Sequence, residues 1–221
     1  MNNNAKENTN MEEPTRKLSK AEQKRYDAFL ERTGKLVEKG YKRVDLLVSI
    51  ITANLLGTLI AAVPCIPAAI AFFMINKGPH ETSSSEFLIT AGLLMIFIVI
   101  HELIHGLFWS FGAENGLKDI RFGFIVKYLT PYCTCASPLK KGHYILGTFA
   151  PMFLIGICPM IASIFLGSMP MFLFGVFHTL AGAGDILVII KLLMYRSKGK
   201  DVYFFDHPYD CGLVAFEKAN I

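Results

Sequence analysis

Two histidines and a glutamate stand at zinc-binding spacing within a long apolar stretch of the sequence. They are His101, Glu102 and His105, which form the pattern His-Glu-x-x-His. Residues four apart share one face of an α-helix, so both imidazoles can bind one zinc ion, and the glutamate can act as general base to the water that the zinc activates. The alternative is a buried polar cluster that only holds helices together. It is disfavoured because ionisable residues within a membrane helix are costly.

Asp185 is the predicted third metal ligand, since a catalytic zinc usually has three protein ligands and one position for water. It lies 16 residues after Met169, where one apolar segment begins, and His101 lies 15 residues after Glu86, where another begins. Two helices that cross in the same direction would place these residues at one depth. The preceding residues, Ala181–Gly184, are small and permit close helix approach. The alternative role for Asp185 is to pair with another cation in the membrane.

His178 lies seven residues before Asp185, two helical turns away on the same face. It is a candidate catalytic residue that hydrogen-bonds a zinc ligand or polarises the scissile carbonyl. A plain satisfied polar contact is the alternative, and both of these roles are favoured over direct binding of the metal. As a fourth ligand it would close the site and indicate a structural metal.

Cys133 and Cys135 form a Cys-x-Cys pair whose side chains would point the same way from a strand. Such a pair can bind a soft metal. The spacing is not the usual Cys-x-x-Cys and the chain offers no second pair, so packing as small apolar residues is the favoured interpretation.

The composition indicates a membrane protein. Of the 221 residues, 52% are hydrophobic and only 18% are charged, whereas a typical soluble domain is about 25% charged. Disorder of the whole chain is excluded, because it requires low hydrophobicity and a high net charge. Five dispersed cysteines exclude a disulfide scaffold, and a net charge of +4 with one basic region argues against a nucleic-acid partner.

The apolar residues fall in four segments, each long enough to cross a hydrocarbon core of about 30 Å as a helix. Residues 1–43 hold 11 of the 22 Lys and Arg, and residues 113–143 hold five more. This alternation predicts a multi-pass protein of the cell membrane with both termini in the cytoplasm. The four segments are Val44–Ile75, Glu86–Gly112, Tyr144–Gly167 and Met169–Met194.

The predicted fold class is an all-α polytopic membrane protein with about four transmembrane helices. A small cytoplasmic β-hairpin is expected between the second and third helices, in the β-branched and aromatic stretch 119–137. The predicted domains are a disordered tail (1–18), a basic amphipathic helix (19–43), the membrane domain (44–194) and a cytoplasmic C-terminal tail (195–221).

These residues resemble a family of bacterial membrane proteins described as putative zincin peptidases. The resemblance covers roughly residues 40–215. It is carried by the HELIHG run, Cys133-Thr-Cys-Ala-Ser-Pro-Leu, Pro151, Gly184-Asp185-Ile and Pro208-Tyr-Asp-Cys-Gly. The chain is also distantly similar to site-2 proteases, which implies that His101, His105 and Asp185 are zinc ligands and Glu102 is the base. It differs from their pattern in having Gly-Asp-Ile where those enzymes have Leu-Asp-Gly.

The predicted function is hydrolysis of peptide bonds in or near the membrane by a Zn²⁺ site. The expected partners are a membrane-bound or membrane-proximal protein substrate and the lipid bilayer, and self-association stays open. One alternative is a non-catalytic protein with a structural or regulatory zinc site, and another is a metal or ion transporter. Glu102 discriminates between them, because neither a structural site nor a transport site needs a base beside its first histidine.

Overall fold

A computed structural model of the protein describes Pro14 and residues 16–78, 82–125, 130–197 and 201–218. The predicted disordered tail, residues 1–18, lies largely outside these ranges, and so do residues 126–129.

Most of the described chain is helical, as predicted. Three stretches are long and apolar enough to cross a membrane, and a bent pair of shorter helices is a fourth candidate. The first two stretches are α2, Ile50–Ile75, and α3, Ser84–Ser110. The third comprises α4 (Lys141–Pro151), a π-helical turn (Met152–Ile157) and α5 (Cys158–Leu166). These helices are consistent with the predicted four spans.

The fourth candidate span is not one straight helix. It consists of α6, Met169–Ala181, and α7, Ala183–Met194, which meet at Gly182 with a bend of 49°. Because of this break Asp185 lies in the first turn of α7, rather than in the middle of a continuous helix.

The predicted hairpin is present and begins after a short 3₁₀ turn at Gly116–Asp119. Strand β2 covers Ile120–Ile125 and pairs antiparallel with β3, Thr130–Cys135. Both strands pack against α3, so the hairpin lies beside the helix that carries the His-Glu-x-x-His motif.

A second sheet is a correction to the all-α prediction. Strand β1 (Tyr41–Leu47) pairs with β5 (Gly212–Lys218), and β5 pairs with β4 (Val202–Asp206), giving the order β1-β5-β4. The basic helix α1 covers Lys20–Glu38 and therefore ends before the predicted boundary at residue 43. The residues that were expected to form a C-terminal tail contain the two strands β4 and β5. The strands are short and their partners are distant in sequence, so no local pattern revealed the pairing.

All the strands and α1 lie at one end of the helical bundle, because the chain enters α2 from β1, passes from α3 into the hairpin and leaves α7 for β4. Helix α1 covers the sheet through Phe29, whose ring contacts those of Phe205 and Phe216. A buried core then joins sheet, hairpin and helices, formed by Trp109, Cys133, Cys135, Leu139, Tyr144, Leu192 and Phe204 among others.

Candidate metal centre

Helix α3 brings the motif residues together on one face. His101 and His105 are buried, Glu102 is half-buried, and one ligand atom from each of the three lies within 4.8 Å of the others. The two imidazole rings meet edge to face with centroids 4.8 Å apart. The neighbouring Leu103 and Leu107 are exposed, so the polar face of α3 points into the protein and its apolar face points outward.

Asp185 meets both histidines. Its Oδ2 lies 3.1 Å from Nε2 of His101 and 3.4 Å from Nε2 of His105. The first turn of α7 reaches this position because α2 packs closely against it: a Cβ on Gly57 would lie 2.2 Å from the carbonyl oxygen of Ala183. Three ligand atoms from two distant parts of the chain thus converge on one point.

The His105 ring is held in a fixed orientation. Its Nδ1 lies 2.8 Å from the carbonyl oxygen of Gly147, to which it donates, so Nε2 is free to bind a metal. Trp109 stacks on the other side of the ring at 5.1 Å and 15°, and its Nε1 donates to the carbonyl of Tyr144. Helix α4 therefore orients a candidate ligand on α3.

We expect Gly147→Ala to weaken zinc binding. A Cβ at this position would lie 2.1 Å from Cδ1 of the buried Trp109 ring, which cannot move without disturbing His105. Overpacking of this kind costs about 1–3 kcal/mol, and loss of the hydrogen-bond partner of a histidine ligand lowers metal affinity roughly 10–100-fold. Competition with a metal indicator dye measures the affinity, and thermal unfolding in detergent measures the stability.

The matched control is Gly142→Ala on the same helix, since a Cβ there would meet nothing within 4 Å. It should leave zinc affinity unchanged. Equal affinities for the two variants would show that Trp109 and Gly147 do not orient His105.

Glu102 connects the motif to the hairpin, because its carboxylate accepts a hydrogen bond from the backbone of Cys133. In β3 the amides of Cys133 and Cys135 face the same edge, away from β2. The Cys135 amide donates to Oδ2 of Asp206 at 2.7 Å. The outer edge of β3 is thus capped at two positions by carboxylates.

His178 lies beside the metal centre on α6 and is fully buried. Rings of Phe97, Phe174 and Phe177 surround it, with centroids 4.5 to 6.0 Å away. Neither ring nitrogen has a hydrogen-bond partner within the described part of the chain. The structure therefore shows no direct contact that assigns its role.

Cys133 and Cys135 are both buried in the core that joins the hairpin to the helices. Burial raises the pKa of the Cys133 thiol well above its ordinary value and raises that of Cys135 to about 12. Free cysteines in such surroundings pack as small apolar residues. This supports their interpretation as packing residues.

Sequence reasoning missed the residues that support the site. Asp206 accepts hydrogen bonds from the Cys135 amide and the Tyr144 hydroxyl, and so ties β4 to the hairpin and to α4. Trp109 lies one helical turn after His105, a position on the same face of α3. That spacing was the available signal for Trp109, whereas nothing in the sequence indicated Asp206.

The donor set fits zinc. Two imidazole nitrogens and one carboxylate oxygen are ligands that zinc takes in catalytic sites, where a fourth position holds water. Ligands at zinc bond lengths are separated by roughly 3.3 Å in a tetrahedron, and Asp185 Oδ2 lies 3.1 and 3.4 Å from the two nitrogens. His101, His105 and Asp185 would hold the ion, with Glu102 beside it.

Comparison with known proteins finds one similarity, to a family of peptidases. Residues 94–199 match the family described as "Putative zincin peptidase". No curated protein and no solved structure matches the chain, so the distant similarity to site-2 proteases stays a prediction. The matched segment contains the His-Glu-x-x-His motif, His178 and Asp185, and over these residues the chain is similar to the Putative zincin peptidase family.

Proposed function

We propose that the protein is an integral membrane zinc metallopeptidase that hydrolyses peptide bonds in or near the membrane. The observation that carries the proposal is the convergence of His101 Nε2, His105 Nε2 and Asp185 Oδ2, with Glu102 on the same helix. The family match supports peptidase activity. The apolar helices and the distribution of Lys and Arg support the cell membrane, with the strands and both termini in the cytoplasm.

Zinc held by His101, His105 and Asp185 would supply Lewis-acid chemistry, by polarising the scissile carbonyl and lowering the pKa of a water molecule to about 7. Glu102 takes the proton from that water, whose oxygen adds to the carbonyl carbon. Glu102 then delivers the proton to the leaving amine as the C–N bond breaks. A structural zinc or a transport pathway would have no use for this carboxylate.

The outer edge of β3 is the proposed place for an extended substrate, which a peptidase needs because a helix hides its carbonyls. A substrate carbonyl that accepted a hydrogen bond from the Cys133 amide would replace the Glu102 carboxylate as the acceptor. Strand pairing would thereby release the carboxylate beside the bond to be cleaved.

His178 is proposed to act on the substrate or on a water molecule, rather than on the metal. Its ring nitrogens have no partner among the described residues, and it lies close to His101. Direct zinc binding by His178 would give four protein ligands and would favour the structural alternative.

Zinc content of the detergent-purified protein tests the proposal, together with hydrolysis of a quenched fluorescent peptide. We expect about one zinc per chain, and activity that 1,10-phenanthroline removes and added zinc restores. His178→Leu should keep its zinc and lose activity. Absence of zinc from the wild type would contradict the metallopeptidase, and loss of zinc from His178→Leu would support a closed structural site.

A further inference from the structure

A cavity of about 330 Å³ lies between α1, the hairpin and β4. Helix α1 contributes Lys24, Arg25 and Arg32 to its wall, and the hairpin contributes Arg121. Asp206 is the acidic residue in the lining. The cavity is thus strongly basic, and it opens among the elements that adjoin the metal centre.

Three of these cations form no salt bridge with an acidic residue within the described ranges. Arg25 donates to the carbonyl of Pro208 and to the Tyr132 hydroxyl, both neutral, and Arg121 donates to backbone carbonyls. Lys24 is exposed and forms no ion pair within the described ranges. Arg32 differs, because it pairs with Asp119 at 2.7 Å.

Asp206 does not neutralise this charge. Its carboxylate already accepts hydrogen bonds from the Cys135 amide and the Tyr144 hydroxyl. As a single carboxylate it supplies at most one negative charge, which Arg25 alone would balance. The lining therefore keeps a net positive charge, to which an anionic ligand is complementary.

The cavity is also partly apolar, which favours a peptide over a simple ion. Phe29, Phe122 and Phe205 line it beside the cations. The backbone of β3 forms one side through Thr134 and Cys135. A segment with both carboxylates and apolar side chains matches these walls, whereas a free phosphate matches only the cations.

The cavity adjoins the candidate catalytic base along one strand. Cys135 lines it, and Cys133, two residues earlier in β3, hydrogen-bonds Glu102. Two residues of a strand span roughly 7 Å. A substrate lying along β3 would therefore have its scissile bond near Glu102 and the next few residues in the cavity.

We propose that this cavity binds Asp or Glu side chains of the substrate, in the segment on the cytoplasmic side of the cleaved bond. The inference rests on the proposed function and names the substrate class for it. Cytoplasmic flanks of most membrane helices are rich in Lys and Arg. A wall formed by Lys24, Arg25 and Arg121 repels such flanks and selects the less common acidic ones.

Peptide binding without cleavage tests the proposal. The full chain carrying Glu102→Gln, in detergent, is titrated into a fluorescein-labelled peptide of alternating Glu and apolar residues, and anisotropy gives the affinity. A matched peptide with Gln in place of every Glu should bind at least tenfold more weakly. Lys24→Gln and Arg121→Gln should each weaken binding of the Glu peptide about fivefold, the effect of an exposed charge pair. Added salt should weaken it further.

The control variant is Lys35→Gln, which removes the same charge from the exposed end of α1 outside the cavity. It should change the affinity less than twofold. Equal binding of the Glu and Gln peptides, or an equal loss in Lys35→Gln, would overturn the proposal. Displacement of the peptide by bilayers containing phosphatidylserine but not by phosphatidylcholine would overturn it in favour of a lipid headgroup.

The result is separable from the proposed function. Addition of Asp185→Asn, which removes a candidate zinc ligand, should leave the affinity of the Glu102→Gln protein for the Glu peptide unchanged. Peptide binding without zinc in the wild type would support the cavity and contradict the peptidase. Zinc binding and hydrolysis without selectivity for the Glu peptide would support the peptidase and contradict the proposal for the cavity.

Discussion

Asp185→Asn is expected to purify without zinc, whereas we expect the wild-type protein to retain it. The amide is nearly the same size as the carboxylate but is a poor zinc ligand, so His101 and His105 would remain with too few donors to hold the ion. Zinc per chain should fall from about one to near zero. Metal analysis after gel filtration in detergent measures this directly. Asp185→Ala should behave in the same way.

Asp27→Asn is the control, since Asp27 is an exposed residue of α1 that contacts Gln23. It should keep full zinc content. A near-unit stoichiometry in Asp185→Asn would remove Asp185 from the ligand set and leave its contacts with the two histidines as a plain polar interaction.

Glu102→Gln is expected to have the opposite combination of properties, with zinc retained and hydrolysis lost. The amide cannot accept a proton from water, and general acid–base catalysis contributes about 10²–10⁴-fold to a rate. We expect kcat to fall by roughly that factor with little change in KM, because the carboxylate acts in the chemical step. Steady-state kinetics on the quenched fluorescent peptide, with metal analysis of the same sample, provide both values.

The matched control is Glu86→Gln on the same helix. Glu86 forms the capping box of α3 with Ser83, and glutamine also serves in that motif. Its kcat should equal that of the wild type. If Glu102→Gln kept its activity, the base would have to be another residue and the catalytic role of the motif would be wrong.

The sequence predicted the helices and the candidate ligands because both depend on local or near-local information. Apolar segments of about 20 residues identify spans, and helical spacing places His101 and His105 on one face. Asp185 was identified by comparing its depth along its apolar segment with that of His101, and this comparison needs only the direction of each helix. The bend at Gly182 was not foreseen, although it sets the position of Asp185 at the start of a new helix.

The strands at the end of the bundle could not be predicted for a different reason. Strand β1 pairs with β5 across most of the chain, with Tyr41 opposite Lys218, and five- to seven-residue strands carry little pattern of their own. Asp206 follows from that pairing, since it contacts Tyr144 and Cys135 only when β4 is in place. Tertiary context decided these features.

The order in which the chain is synthesised determines when the metal centre and the sheet β1-β5-β4 can form. His101 leaves the ribosome 84 residues before Asp185. The interval between the synthesis of β1 and that of its partner β5 is longer still. Domains of this size complete their long-range contacts only when the distant segments exist. A nascent chain therefore holds its histidines and base without a complete metal centre. Under the proposed function, hydrolysis would begin only once α7 and Asp185 have been made, and not when the His-Glu-x-x-His motif first leaves the ribosome.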